Sequence, residues 1–223
     1  MTHTEPPRQR ITLPWLARRA WEYELGMWRS LYHWVLRRPP TTEPGATAHS
    51  YLSAVAPILW TFIVLSAVEI PIFELILPWE TVRRVVLVLG IYGLLWMIGL
   101  MASLRVHPHL VGPSGLRIRY GISLDATIPW DAVADLRARY HTLPNGRSIR
   151  TEETGSGRIL HIATANQTAV DITLRRPLSI PLTRGPSAPV TELRIYADDP
   201  KALVARARER LAATREPGGA HAA

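Results

Sequence analysis

LSAVAPILWTFIVLSAVEI at residues 52–70 and VVLVLGIYGLLWMIGLMASL at residues 85–104 hold a single charged residue, Glu69, between them. The hydrocarbon core of a bilayer takes about 20 consecutive apolar residues as a helix, and each run meets that length. A helix that stays apolar all round is a buried core helix or a membrane span, and few soluble cores hold one so long. The two runs therefore read as a transmembrane hairpin over residues 51–104. Between them PIFELILPWETVRR is too short for a domain, and its Pro71, Pro78 and Trp79 read as a cap at the far interface.

Charge collects outside this hairpin. The net charge of +8 over 223 residues divides into +3 for residues 1–50, −1 for 51–104 and +6 for 105–223. Basic residues that border apolar helices point to anionic lipid headgroups as partners. Nucleic acid is not indicated, because no stacked-aromatic strand pattern or nucleic-acid module accompanies the charge. Arg37 and Arg38 before the first run and Arg105, Arg117 and Arg119 after the second outnumber Arg83 and Arg84 in the turn. The positive-inside rule then puts both termini in the cytoplasm of a multi-pass protein of the cell membrane. The first residues, with Pro6, Pro7, Arg8 and Arg10, lack the short apolar core of a removable signal, so the first span is expected to act as its own insertion signal. There is no cysteine, which excludes disulfides, thiolate metal sites and cysteine nucleophiles.

Ahead of the hairpin, residues 13–37 predict one long amphipathic helix with Pro14 in its first turn, where a missing N–H is harmless. Trp21, Tyr23, Met27, Trp28, Leu31, Trp34 and their neighbours fall on one arc; Arg18, Arg19, Glu22, Arg29, His33 and Arg37 fall opposite. Trp15, Glu24 and Leu36 break the pattern. A Trp-rich face opposite an arginine-rich one is that of a helix lying in the membrane interface, with packing onto another helix or domain as the alternative. Arg38, Pro39 and Pro40 are expected to stop it, and TTEPGATAHS reads as a polar connector completing residues 1–50.

Beyond the hairpin the hydrophobic period changes to two. Seven short strands are expected, near 115–121, 122–129, 132–141, 147–153, 158–164, 168–176 and 190–198, with turns at Pro144-Asn145-Gly146, Gly155-Ser156-Gly157 and Ala165-Asn166-Gln167. DPKALVARARERLAA follows as a helix, with Asp199 as N-cap, Pro200 at its first position and Leu203, Ala207 and Leu211 on one face. Seven antiparallel strands and a closing helix are the element order of the pleckstrin-homology superfold. The fold class expected is thus membrane α + β: an N-terminal amphipathic helix, a two-helix transmembrane hairpin, and over residues 105–213 a PH-like seven-stranded antiparallel barrel or bent sheet capped by a C-terminal helix. Residues 214–223 read as a disordered tail.

Gly115 to Arg119, Ile128-Pro129-Trp130 and Asp198-Asp199-Pro200 resemble motifs of the membrane-anchored bacterial PH-like proteins, especially the uncharacterised actinobacterial type. There a pair of membrane helices precedes a Gly-Leu-x-(Ile/Val)-Arg strand, an (Ile/Leu)-Pro-Trp turn and a final Asp-Asp-Pro. The resemblance covers roughly residues 50–213 and implies a fold and no activity. Lipid-binding eukaryotic relatives hold an inositol phosphate with a long basic loop between the first two strands. Here Tyr120-Gly121-Ile122 stands in its place, which argues against such a pocket.

The candidate lipid- or partner-binding residues are Arg117 and Arg119, and Arg137 and Arg139, each pair alternating along a strand so as to project from one face, which together with Arg147 and Arg150 could present a basic surface to lipid. A solvated strand face is the alternative. Glu69, with Glu74 after it, is a candidate intramembrane carboxylate for proton or ion handling, against a structural role near the helix end. His107 and His109 could share a metal only with ligands that no recognisable spacing supplies, so no metal and no cofactor is expected. His141 and His161 read as surface or pocket residues. No nucleophile elbow, phosphate-binding loop or dinucleotide fingerprint occurs. The function expected is non-enzymatic: a membrane-anchored binding or scaffold protein engaging lipid or a membrane or cytoplasmic protein. The rival is a subunit of a transport or secretion complex, packing through Gly90, Gly93 and Gly99.

Overall fold

The computed structural model describes residues 13–37, 42–144, 146–155, 157–182 and 185–215. The expected helix stop at Arg38, Pro39 and Pro40, the turn residues Asn145 and Ser156, and most of the expected tail lie outside these residues. In chain order the elements are α1 (Leu13–Val35), β1 (Thr47–His49), α2 (Ala56–Ile76), α3 (Glu80–Val106), β2 (His109–Val111), β3 (Leu116–Tyr120), β4 (Leu124–Ile128), β5 (Val133–Thr142), β6 (Ile149–Thr154), β7 (Gly157–Ile162), β8 (Gln167–Leu178), β9 (Pro181–Leu182), β10 (Gly185–Pro186), β11 (Val190–Ile195) and α4 (Pro200–Arg215).

Both apolar runs form helices long and apolar enough to cross a membrane. Their side chains are left largely uncovered by the rest of the chain: Leu75 is 88% exposed and Val88 66%. The intervening segment is not the long cap the sequence suggested. Pro71 sits inside α2, which continues through it to Ile76, so the connection is only residues 77–79. Proline removes one helical hydrogen bond, and here the remaining ladder carries the helix past it. Glu69 therefore lies seven residues short of the helix end, about 10 Å at 1.5 Å per residue, rather than at the end itself.

α1 is docked along α3. Glu24 contacts Tyr92 and Trp96, Met27 packs on Gly99, and further on Trp34 and Arg37 border Arg105 and Val106, so the two helices run in the same direction. Gly99 allows the close approach: a Cβ there would lie 3.0 Å from Met27 Cγ. Glu24, anomalous on an apolar arc, accepts hydrogen bonds from Trp28 Nε1 at 2.8 Å, Tyr92 Oη at 2.6 Å and Trp96 Nε1 at 3.2 Å. Of the alternatives open in the sequence, packing onto another helix is the arrangement seen.

The connector ahead of α2 carries a strand. β1 pairs antiparallel with β2, and the four-stranded sheet runs β1-β2-β3-β4. The pair of apolar helices is thus inserted between two hydrogen-bonded neighbours. The segment around β1 and the start of α2 is fastened to the end of the chain: Ser53 N–H and Oγ donate to Asp198 Oδ1 at 2.9 and 2.6 Å, Asp198 N–H donates to Ser50 O at 2.8 Å, and Arg210 Nη2 donates to Gly45 O at 2.7 Å.

All seven expected strands form, as β3 to β8 and β11, but their pairing is not purely antiparallel. The second sheet runs β5-β8-β11-β7-β6, with β11 parallel to β7 and antiparallel to β8. The turn at Ala165 (φ 49°) and Asn166 (φ 59°) joins β7 to β8, yet these strands share only the Thr164–Gln167 bridge before they splay. β11 fills the wedge, and Val190, Leu193 and Ile195 become fully buried beside Leu160, Ile162, Val170 and Ile172.

α4 closes the core with the face expected, Leu203, Ala207 and Leu211 all being buried. Asp199 Oδ1 accepts the Ala202 N–H at 2.9 Å as N-cap. Removing such a cap costs about 1 kcal/mol, so Asp199→Ala should lower the unfolding free energy by that amount, and with it the melting midpoint, without altering the folded spectrum, as a thermal melt followed by circular dichroism will show.

Candidate functional site

His109 begins the site. It follows α3 directly and is buried in β2, where Nδ1 accepts the Arg119 N–H at 3.2 Å and Nε2 donates to Tyr196 O at 2.9 Å. Those two bonds fix the tautomer, and burial pulls the imidazole down to about 4, the Tyr196 bond partly opposing. Tyr51 stacks between His109 at 4.8 Å and Tyr120 at 5.8 Å and accepts the Gly121 N–H at 2.7 Å. His107 Nδ1 donates to Ser103 O at 2.8 Å. With both nitrogens of His109 engaged, the two imidazoles are structural and do not present a chelating pair. Among the described residues no group of three or more metal-binding side chains comes together.

Arg119, next to this layer, is only 3% exposed. Its Nε is buried without a hydrogen-bond partner and lies 3.6 Å from Asp125 Oδ2. Asp125 is already occupied: Arg117 grips it bidentately through Nε and Nη2, both at 2.6 Å. Burial lowers the Arg119 guanidinium below the ordinary arginine value, with Arg117 adding to the effect and Asp125 opposing it.

Two clefts meet at Arg119. The larger, about 790 Å³, lies between the end of α1, the end of α3 and the first sheet, and is lined among others by Trp34, Arg37, Arg105, Val106, Pro108 and Leu110. The smaller, about 490 Å³, is bordered by Arg29, Ser30, His107, Arg117 and Asp125. His33 and Arg119 line both.

The six arginines singled out in the sequence do not form one face. Arg117 and Arg119 come together. β5 and β6 are the two edges of the five-stranded sheet, so Arg137 and Arg139 stand four strands from Arg150. Arg137 is exposed and paired with Asp135 at 2.7 Å, Arg139 and Arg147 are exposed, and Arg150 donates to Pro144 O at 3.3 Å. The residues that do join Arg119 around the two clefts are Arg29 and His33 on the polar stripe of α1, Arg37 in the turn just after it, and Arg105 at the end of α3. The stripe was visible in the sequence; its place across two clefts from Arg119 was not. His141 and His161 each bond a carboxylate, Asp171 at 3.0 Å and Glu152 at 2.9 Å.

Glu69 lines a groove of about 640 Å³ between α2 and α3, with Ser66, Gly90 and Gly93. Gly90 packs on Ile70 and Gly99 on Met27, so both serve contacts within the chain, whereas a Cβ on Gly93 would meet nothing within 4 Å.

The motif residues are structural. Trp130, 3% exposed, donates from Nε1 to Gly112 O at 3.0 Å. Gly115 lies so close to the Ile128-Pro129 backbone that a Cβ would sit 2.3 Å from Ile128 O. Compared with protein-family models, curated proteins and solved structures, the chain matches none.

Proposed function

We propose that this chain is a membrane-anchored binding or scaffold protein, held by a two-span hairpin, whose PH-like domain works at the cytoplasmic face of the cell membrane. The observation that carries this reading is the insertion of α2 and α3 between β1 and β2, which seats the folded domain at the base of two uncovered apolar helices. Exposed Leu16, Trp21, Leu25 and Tyr32 on α1 extend the apolar surface beside them and suit immersion at the headgroup level. The two sheets and closing helix support a PH-like domain, with β11 inserted between β7 and β8 as its departure. Cytoplasmic termini rest on the arginine balance around the two helices.

A second reading, a subunit of a transport or secretion complex, draws on the open groove at Glu69 and Gly93, where a neighbouring helix could approach closely. Crosslinking and purification of the full chain from its native membrane, repeated with Gly93→Leu, separates the two. The scaffold reading expects the chain to resist alkaline extraction and to keep its partners in the variant. Loss of a stoichiometric partner on Gly93→Leu would move the assignment to the complex subunit, and extraction by alkali would sink both.

A further inference from the structure

The cleft around Arg119 is built as a site for a phosphate group on an amphiphile. We infer that it binds the headgroup of an anionic phospholipid, a proposal that rests on the membrane-anchored reading above and names its ligand and place.

Four features carry it. A buried guanidinium nitrogen without a hydrogen-bond partner is costly to leave so, and Arg119 Nε is such a nitrogen: it has a 3.6 Å ion pair with Asp125 and no hydrogen bond, on a side chain lining both clefts. Arg37 and Arg105 border the larger of the two clefts that meet at Arg119, and Arg29 and Arg117 the smaller, where the carboxylate lining it among the described residues, Asp125, is gripped bidentately by Arg117. Arginine is the side chain best matched to phosphate oxygens, through paired N–H donors in one plane. Finally, the wall is mixed: Trp34, Val106, Pro108 and Leu110 line the larger cleft beside the arginines, at the point where the apolar length of α3 ends. A soluble anion has no use for that apolar wall, whereas a glycerolipid carries a phosphate and acyl chains on adjoining parts of one molecule. At about 790 Å³ the cleft is of the size that encloses a small ligand. The site is not the strand-loop pocket of inositol-phosphate binders, since Tyr120 leads straight into the tight turn at Gly121; it is made jointly by a helix ahead of the hairpin, the hairpin's last turn and the sheet.

The test uses the full chain in detergent micelles, with native mass spectrometry reading lipid retained after titration with phosphatidylglycerol or phosphatidylcholine of the same acyl chains. The expected result is one phosphatidylglycerol retained per chain, in preference to phosphatidylcholine, and not displaced by excess inorganic phosphate. Each arginine removed should weaken retention about fivefold. Arg119→Gln tests the buried group, and the exposed pair Arg29→Gln with Arg105→Gln tests the rim without touching the core. Equal retention of the two lipids, or unchanged preference in the rim variant, overturns the proposal. Displacement by inorganic phosphate overturns its lipid part and assigns the cleft to a soluble anion. Alkaline extraction of native membranes keeps the two levels apart. A chain released by alkali fails the anchoring reading, while one that stays and shows no lipid preference fails the site alone.

Discussion

Trp130→Ala should destabilise the folded domain by about 3–5 kcal/mol, the range for emptying a large aromatic from a packed core. The indole is 3% exposed and sits in the main hydrophobic cluster with Val111, Leu116 and Ile128. Its Nε1 is also the donor that satisfies Gly112 O. Trp130→Phe separates the two contributions: it keeps most of the buried area but leaves that carbonyl without its partner, for a loss of about 1–3 kcal/mol. Denaturation of the full chain in micelles, followed by near-ultraviolet circular dichroism, measures both. A loss below that of Trp130→Phe in the alanine variant would show that the indole does not anchor the β2–β3 connection.

Lowering the pH from 6.5 to 4 should remove about 3 kcal/mol of stability through His109 alone, each pKa unit being worth 1.36 kcal/mol. The folded imidazole is held neutral down to about 4, whereas in the unfolded chain it takes a proton near 6.5. Between those values the unfolded state binds more protons, so stability is complete above 6.5, falls as the pH drops, and levels off once the folded state is protonated too. The structural reason is that a proton on Nδ1 would face the Arg119 N–H, donor against donor, while Nε2 stays committed to Tyr196 O. His109→Gln, which retains a donor and an acceptor, should flatten the pH dependence when midpoints at pH 7 and pH 5 are compared. An unchanged slope in that variant would exclude His109 as the titrating group.

The apolar runs, the long helix at 13–35, the seven strands of more than three residues and the capped last helix were all legible, because each is specified by local periodicity or by a residue at a helix end. β1 and β2, three residues each, were not: Thr47–His49 has no pattern of its own and is a strand only because His109–Val111 lies beside it. The place of β11 was hidden for a related reason. Alternation in VTELRI says which side chains face the core, and nothing about whether β7 or β8 will be the neighbour. At the site, Arg117 and Arg119 could be picked from their alternation. That Arg119 is buried and Arg137 is solvated depends on what surrounds each strand, and α1, which shares two clefts with Arg119, is separated from it in sequence by the whole hairpin. Glu24 is the converse case. Its break in the amphipathic pattern was plain, and only the indole and phenol donors of α3 explain it.

The insertion of the hairpin between β1 and β2 also orders events in time. Thr47 and its partner Val111 are 64 residues apart, so during synthesis the first strand waits, unpaired, while both apolar helices are made. Given a hairpin that crosses the bilayer, the sheet can close only if the chain has crossed twice and returned to the side where β1 was left. A chain stalled after one crossing has its first strand and its remaining strands on opposite sides of the membrane. Completion of the domain is therefore itself a report that insertion succeeded, and a quality-control protease that recognises unpaired strand edges would need no other signal to remove the failures.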